Sequence, residues 1–363
     1  MKVHVAKKTL AEALAHVERI VPARSSNPSL SLLRISTSAD VVEMVGSNMD
    51  SDIRARIPAD VGANGSFAVN AAVFAQVVRV LPADDVTLEF GDNDLEIVSG
   101  NYGTKLQLSA PSSAPEPTFP DAYPGEADAS ALSHALASVK YAAAVADFQA
   151  VFRGVKLEFS DTRTRAVASD GFRLAYFDLG GPTGLDEGVI APARSIEELI
   201  KLLGDGPVKL ALAEGRLCVQ HGNYALNMKL MEGAFPDYQR VIPTVFPVSI
   251  QVKAAALSEA VNRVALMADK TSNNRVDLFI KEGTLRVTAE GSFGHSQEEL
   301  QVSQEGTDSE IRLAYNAKYL TESLGPVAGE ALVRFSGSNS SPSVITDAAD
   351  PSYLAMVVPL RNA

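Results

Sequence analysis

The sequence predicts an α+β protein built from three repeated domains, each with antiparallel sheets backed by two helices. Three observations predict this fold class. One apolar helical stripe occurs three times, a second stripe recurs at nearly the same spacing, and alternating strand-like segments lie between the two. The chain has 363 residues, of which 46% are hydrophobic and 21% charged. This length exceeds one ordinary core and suits two or three globular domains of about 100–150 residues.

The first helix of each repeat carries apolar residues at positions i, i+4 and i+7, the pattern of a helix with one buried face. Such self-similarity along a chain indicates a repeat architecture. The repeats begin 132 − 10 = 122 and 257 − 132 = 125 residues apart. The three stripes are Leu10, Leu14 and Val17; Leu132, Leu136 and Val139; and Leu257, Val261 and Val264.

A second helical stripe follows in each repeat, at offsets of 196 − 74 = 122 and 320 − 196 = 124 residues. Two helices per repeat follow from the two stripes. The members of the second stripe are Phe74, Val77, Val78 and Leu81; Ile196, Leu199, Ile200 and Leu203; and Leu320 and Leu324.

Strand-like segments separate these helices. Residues 41–45, 155–159 and 285–289 are short alternating runs bounded by Gly, Asp and Asn, which is typical of half-buried strands between turns. Two more alternating runs open 122 residues apart, at Tyr102 and Tyr224, each directly after an asparagine. Because strands follow one another directly, the sheets are expected to be antiparallel with the helices on one face.

Two proline-rich segments divide the chain. Residues 110–125 contain five prolines, which cannot continue a helix or a central strand, and residues 235–247 resemble them in sharing a Phe-Pro-Asp motif. We therefore place the domains at residues 1–122, 123–245 and 246–363.

Composition excludes several classes of protein. A net charge of −12 argues against a protein that grips nucleic acid tightly, although local basic surfaces remain compatible with it. The single cysteine, Cys218, excludes an intrachain disulfide, fits a reducing cytoplasm and is interpreted as an ordinary strand residue. The amino terminus lacks the apolar core of a signal peptide, and no apolar run approaches the ~20 residues of a membrane span. We expect a cytoplasmic protein without membrane contact.

Catalytic motifs are absent from the sequence. It contains no nucleophile elbow, phosphate-binding loop, dinucleotide fingerprint or zinc-protease motif. Ser169 stands beside Asp170, but no histidine lies in the same motif. We expect a non-catalytic protein with no cofactor and no metal, because the histidines show no metal-ligand spacing: His4, His16, His134, His221 and His295.

Three motifs carry a resemblance to a known family. They are Ala-Ser-Asp-Gly-Phe-Arg-Leu-Ala at 168–175, Phe-Pro-Asp-Tyr-Gln-Arg-Val at 235–241 and Pro-Leu-Arg at 359–361. With the three repeats, they make the whole chain resemble the bacterial sliding clamp, the β subunit of DNA polymerase III. The resemblance implies a DNA clamp fold in which a head-to-tail homodimer forms a six-domain ring. Such a ring would encircle double-stranded DNA without sequence preference and would be associated with the nucleoid.

The resemblance also implies partners and sites. The replicative DNA polymerase, the clamp loader and repair proteins would bind through short peptide motifs that end in Leu or Phe. The peptide pocket would comprise Phe152, Ser169, Gly171, Phe172, Arg173, Leu174, Pro236, Arg240, Val241, Val357, Val358, Pro359, Leu360 and Arg361. The DNA-facing residues would be Arg24, Arg79, Lys140, Arg194, Lys201, Arg263, Lys270 and Lys318. The dimer interface would comprise Leu106, Leu108, Leu266 and Met267.

Two positions depart from the family pattern, and one alternative function stays open. Phe172 stands where a histidine is common, which makes this wall of the pocket more apolar and removes a titratable group. Pro342 stands where a small polar residue is expected. The alternative is a repeat scaffold that binds peptides but closes no ring and holds no DNA, which would predict a monomer without a basic inner surface.

Overall fold

The protein is described by a computed structural model that covers residues 2–145, 150–337 and 341–361. Its α-helices all fall where the two apolar stripes predict them. They are α1 (Lys7–Ile20), α2 (Ala71–Val80), α3 (Ala129–Lys140), α4 (Ala193–Leu202), α5 (Ala254–Val264) and α6 (Ala317–Leu324).

The strands follow in chain order. The first fourteen are β1 (Lys2–Ala6), β2 (Leu32–Ser38), β3 (Val41–Ser47), β4 (Ser51–Pro58), β5 (Asp60–Val61), β6 (Gly65–Asn70), β7 (Asp85–Phe90), β8 (Asp94–Ser99), β9 (Tyr102–Gln107), β10 (Gly125–Asp128), β11 (Gly154–Phe159), β12 (Thr164–Ser169), β13 (Arg173–Gly180) and β14 (Gly188–Pro192). The others are β15 (Pro207–Ala213), β16 (Arg216–His221), β17 (Tyr224–Lys229), β18 (Val248–Lys253), β19 (Arg275–Lys281), β20 (Thr284–Gly291), β21 (Gly294–Gln301), β22 (Ser303–Gly306), β23 (Glu310–Asn316), β24 (Glu330–Phe335), β25 (Ser343–Asp347) and β26 (Tyr353–Val357).

The chain divides into two compact units. The first contains residues 1–133, 183–185 and 197–230, and the second contains residues 134–182, 186–196 and 231–363. In the first unit the described strands form a sheet of five, β5-β1-β7-β8-β9, and a sheet of eight, β10-β15-β16-β17-β4-β3-β2-β6. In the second they form a sheet of nine, β14-β11-β12-β13-β26-β25-β24-β18-β22, and a sheet of four, β21-β20-β19-β23.

The predicted α+β class with antiparallel sheets is confirmed. Among the described residues, the paired strands are all antiparallel. In one example, β19 pairs with β20 from Asp277 opposite Thr288 to Lys281 opposite Thr284. The first apolar stripe is buried in all three repeats, and in the second Phe74, Ile196 and Leu320 are buried. The helices therefore cover their sheets with the residues that their periodicity predicted.

Two strand pairs run across the predicted domain boundaries. In the eight-stranded sheet β17 pairs with β4, with Tyr224 opposite Ala55. In the nine-stranded sheet β13 pairs with β26, with Arg173 opposite Val357. Neighbouring repeats thus share one hydrogen-bonded sheet, which leaves no strand edge exposed at those two pairings.

The turns before Tyr102 and Tyr224 are also repeated, like the strands that follow them. Gly100 and Gly222, also 122 residues apart, have φ of 59° and 54°. This left-handed conformation is easily adopted by glycine, so both turns tolerate little else. The same local geometry in two repeats explains why the alternating run restarts at each tyrosine.

Both proline-rich segments are anchored by side-chain contacts. The Arg54 guanidinium lies 4.5 Å from the centre of the Phe119 ring, and Asn227 Nδ2 donates to the Thr118 carbonyl at 2.8 Å. Tyr238 is buried, and its hydroxyl donates to Glu158 at 2.8 Å. Each proline-rich segment is therefore in contact with side chains of the neighbouring strands.

Cys218 is buried in β16, as its apolar neighbours predicted. Burial raises the pKa of its thiol to about 11, which makes it a poor nucleophile at neutral pH. Over the described ranges, no helix has both the length and the apolar character needed to cross a membrane.

Candidate functional site

A cavity of about 400 Å³ lies in the second unit, next to the carboxy-terminal segment. Four segments of the chain build its three walls. The turn between β12 and β13 forms one wall, the start of α6 with the loop before β19 forms another, and the segment after β26 forms the third. It is lined by Phe172, Asn273, Asn316, Tyr319, Val358, Pro359, Leu360 and Arg361. Five of these were expected from the family resemblance, and Asn273, Asn316 and Tyr319 were not.

The turn at 169–173 presents Phe172. Asp170 Oδ1 accepts hydrogen bonds from the backbone N–H of Phe172 at 2.9 Å and of Arg173 at 3.0 Å. Ser169 Oγ donates to the Arg173 carbonyl at 2.8 Å, and Gly171 has a φ of 89°, which favours glycine. The turn is therefore fixed by its own polar groups, while the Phe172 side chain stays 59% exposed at the cavity.

The carboxy-terminal wall is tied to both other walls. The Val358 N–H donates to the Phe172 carbonyl at 2.9 Å, and the Leu360 N–H donates to the Ala314 carbonyl at 2.7 Å. Arg275 Nη1 donates to the Arg361 carbonyl at 3.4 Å. The segment is thus held by its backbone, which leaves the Leu360 and Arg361 side chains available at the cavity.

Asn316 and Tyr319 belong to the start of α6. The Asn316 side chain caps the helix, because its Oδ1 accepts from the N–H of Lys318 at 2.9 Å and of Tyr319 at 3.3 Å. Burial raises the pKa of the Tyr319 hydroxyl, and the charge of Asp170 raises it further. An asparagine directly before an apolar helical stripe is a recognisable N-cap signal, but nothing in the sequence alone connects that cap to the cavity.

Arg173 is buried directly behind the cavity, with its side chain 6% exposed. Its Nε lies 2.9 Å from Asp170 Oδ2, and its Nη1 donates to Glu322 of α6. The two carboxylates raise the pKa of the guanidinium against the opposing effect of burial. The structure therefore makes Arg173 an internal residue of the site.

An apolar cluster adjoins this region. Leu174, Tyr238 and Met356 are buried in it. Of the other predicted pocket residues, Phe152 and Val357 are buried, Ser169 is buried within the turn, and Gly171 is exposed. The rest of the cluster is Val167, Val344 and Leu354, with Tyr176, Phe235, Ile242 and Phe246 packed against it.

The predicted pocket residues of the second proline-rich segment, residues 235–247, lie on the outside of this cluster. Pro236 and Val241 are exposed, and Arg240 is exposed and paired with Asp237 at 2.7 Å. Phe152 contacts Phe235 edge to face, with ring centres 5.9 Å apart.

The predicted DNA-facing cations lie on or beside helices. Arg79, Lys201, Arg263 and Lys318 pair with carboxylates, for example Lys201 with Glu197 at 3.1 Å. Arg24 is exposed in the loop after α1, Arg194 is exposed in α4, Lys140 ends α3 and is half-buried, and Lys270 is exposed after α5. At least half of the set thus already has an acidic partner.

The predicted dimer residues lie at two sheet edges, each within its own unit. Among the described strands β9 pairs only with β8, and Leu106 and Leu108 at this edge are half-buried. β21 likewise pairs only with β20. Leu266, in the single turn after α5, is 78% exposed and Met267 is half-buried.

Phe293 lies at the β21 edge as well, and the sequence analysis did not predict it. It is 91% exposed between β20 and β21. The Asp269 carboxylate accepts from the Ser292 N–H at 2.9 Å and from its hydroxyl at 2.8 Å, which joins the turn at Phe293 to the segment after Met267. A sequence search for apolar periodicity passes over a single aromatic residue in a turn.

Within the described residues, no group of three or more His, Cys, Asp or Glu side chains is arranged to hold a metal ion.

Comparison with known proteins identifies three matching family models. The DNA polymerase III beta subunit N-terminal domain matches residues 1–120, the central domain residues 126–237 and the C-terminal domain residues 239–361. The beta sliding clamp of Caulobacter vibrioides is 29% identical over 99% of this chain and 100% of its own length.

Solved structures agree in fold. The Caulobacter crescentus beta sliding clamp is 28% identical and superimposes with a TM-score of 0.90. The Pseudomonas aeruginosa sliding clamp bound to griselimycin is 24% identical with a TM-score of 0.93. Each alignment covers the whole of both chains.

Proposed function

The chain belongs to the DNA polymerase III beta subunit family, and on that premise we propose that it is a sliding clamp whose cavity beside Phe172 receives the peptides of its partners. The matches to all three family domains, which together span nearly the whole chain, carry this proposal. Members of this family are processivity subunits that work with DNA and a DNA polymerase and are not themselves catalytic. The three domains would have the limits predicted from the sequence, 1–122, 123–245 and 246–363.

The chemistry of the cavity supports peptide binding. Phe172, Tyr319, Val358, Pro359 and Leu360 give it apolar walls, which suit a Leu or Phe side chain at the end of a short motif. A few such anchors, each burying ~100 Å² at about 25 cal/mol per Å², supply several kcal/mol before binding entropy is subtracted. That balance fits partners that exchange, among them the replicative polymerase, the clamp loader and repair proteins.

Two unpaired strand edges support a head-to-tail homodimer. In this proposal β9 of one copy pairs with β21 of a second copy, because unprotected edges invite strand addition and a closed ring removes them. Leu106 and Leu108 would meet Leu266 and Met267 of the second copy, and the exposed Phe293 would add apolar area beside them. Two copies would give a ring of 2 × 3 = 6 domains.

The acidic composition is compatible with DNA binding of this kind. Tight binding to duplex DNA depends on many cations that neutralise phosphates. A ring that encircles the duplex is retained by its topology and needs only weak, sequence-independent contacts from residues such as Arg24 and Lys270. Association with the nucleoid in the cytoplasm would follow from that retention.

Topological retention has a direct test. Clamp and clamp loader are incubated with nicked circular plasmid, the DNA is isolated by gel filtration, and half of the sample is linearised. The clamp should elute with the circle and dissociate after linearisation. A clamp that stays bound to linear DNA would contradict encirclement, and one that never elutes with the circle would favour the monomeric peptide-binding scaffold.

The oligomeric state provides a second measurement. Light scattering coupled to size-exclusion chromatography should give twice the protomer mass of 38.4 kDa, or 2 × 38.4 = 76.8 kDa. The measurement is repeated up to about 100 µM protein, a concentration well above the Kd of a specific dimer. A mass of one protomer at every concentration would contradict the proposed ring.

A further inference from the structure

The buried Arg173 guanidinium joins two carboxylates from different parts of the second unit. Asp170 lies in the turn before β13, with its Oδ2 2.9 Å from Arg173 Nε. Glu322 lies on α6 and accepts from Arg173 Nη1. Because a guanidinium presents its donors in a rigid planar fork, it fixes both the distance and the orientation of the groups that it joins.

Each of these carboxylates is linked to a wall of the cavity. Asp170 Oδ1 accepts from the Phe172 N–H, so the position of Asp170 determines the position of the turn that carries the Phe172 ring. Glu322 follows Tyr319 by three residues on α6, and the Arg173 guanidinium carbon lies 4.3 Å from the centre of the Tyr319 ring. One side chain therefore connects the two aromatic residues of the cavity.

A second aromatic ring also lies close to the guanidinium. The Tyr141 ring centre lies 5.4 Å from the Arg173 guanidinium carbon. The Tyr353 hydroxyl donates to the Ser323 carbonyl at 2.8 Å and lies 2.7 Å from the Tyr141 hydroxyl, which is therefore the donor of that second bond. Burial raises the pKa of Tyr141 to about 12, so the Tyr141 hydroxyl keeps its proton at neutral pH. The Arg173 side chain is therefore 6% exposed and in contact with two carboxylates and two aromatic rings.

We propose that Arg173 is a positioning residue that sets the spacing of Phe172 and Tyr319 and thereby determines which apolar peptide side chains the cavity accepts. The inference rests on the proposed peptide site. Arg173 contributes no contact of its own to the peptide, because its side chain is enclosed by Asp170, Glu322, Tyr141 and Tyr319.

The test is Glu322→Gln, which keeps a hydrogen-bond acceptor but removes the charge that orients Arg173. The Glu322 side chain is partly exposed, so the fold should tolerate the change. Affinity is measured by fluorescence anisotropy with a fluorescein-labelled hexapeptide that ends in Leu-Phe. We expect about fivefold weaker binding with an unchanged melting temperature, since a charge-assisted hydrogen bond is replaced by a neutral one.

Glu310→Gln is the matched control. It makes the same chemical change in a carboxylate of the same unit, where Glu310 pairs with Lys281 at 3.2 Å on the surface. Its peptide affinity should equal that of the wild-type protein. Arg173→Lys, which keeps the charge but loses the planar fork, should weaken binding at least as much as Glu322→Gln.

A cycle with Tyr319→Leu separates positioning from general destabilisation. If Glu322 and Arg173 act through the Tyr319 ring, Glu322→Gln should weaken binding in the wild-type background and have no further effect in Tyr319→Leu. An equal loss in both backgrounds, or wild-type affinity in Glu322→Gln, would overturn the inference and leave the peptide site standing. A wild-type protein that binds no peptide would overturn the site itself, and the inference with it.

Discussion

Phe172→Ala tests the cavity most directly, because the ring is exposed in the free protein and its removal should leave the fold unchanged. A phenylalanine side chain can bury roughly 200 Å². With 59% of Phe172 exposed, about 120 Å² remains for a peptide to cover. If a bound peptide covers half of that area, its loss costs about 1.5 kcal/mol at 25 cal/mol per Å², or about tenfold in affinity.

The assay compares peptide anisotropy, melting temperature and dimer mass for the same preparations. Phe172→Ala should lose about tenfold in affinity with the other two readings unchanged. Met49→Ala is the control, since Met49 is similarly exposed, at 62%, and belongs to the first unit, whereas the residues that line the cavity belong to the second. Unchanged affinity in Phe172→Ala, or an equal loss in Met49→Ala, would refute the assignment of this wall.

Three further predictions concern the pH response, the dimer and a helix cap. Phe172→His should make peptide affinity fall as pH drops below about 6.5, because an apolar peptide desolvates the imidazole and favours its neutral form. The wild-type affinity should stay constant between about pH 5.5 and about pH 7.5. Equal pH profiles of the two proteins would count against peptide contact at this residue. Leu266→Asp should shift light scattering towards the protomer mass with peptide affinity retained, and a persistent dimer would exclude the proposed edge. Asn70→Ala removes the bond from the Val73 N–H that caps α2, and urea unfolding should show a loss of about 1 kcal/mol, whereas no change would mean that water replaces the cap.

The helices and individual strands were predictable because they depend on local periodicity. Leu10, Leu14 and Val17 are buried because they share one helical face, and that spacing is visible in the sequence. The pairings of β4 with β17 and of β13 with β26 join segments more than 150 residues apart. Nothing in a single sequence specifies such partners, since several strands offer a similar alternating pattern.

The site was predictable only where a motif carries it. Phe172 and Leu360 were found because they lie inside recognisable motifs. Asn273 and Tyr319 were not found, because the fold brings their loop and helix to the cavity from elsewhere in the chain. The resemblance placed Arg173 in the peptide pocket, and the structure encloses its side chain between Asp170 and Glu322. A motif identifies which residues matter without stating which way each side chain points.

The ion pairs of the helix cations bear on how the proposed ring would hold DNA. Arg79 pairs with Glu18, Lys201 with Glu197 and Glu198, Arg263 with Glu259 and Glu298, and Lys318 with Glu322. A phosphate must compete with these carboxylates for each cation, so the net gain per contact is smaller than for an unpaired lysine or arginine. Weak contacts of this kind would impede movement along the duplex little, and closure of the proposed ring would then retain the DNA. On this proposal the strength of the dimer edges would decide whether DNA is kept, and the paired cations would decide how freely it moves.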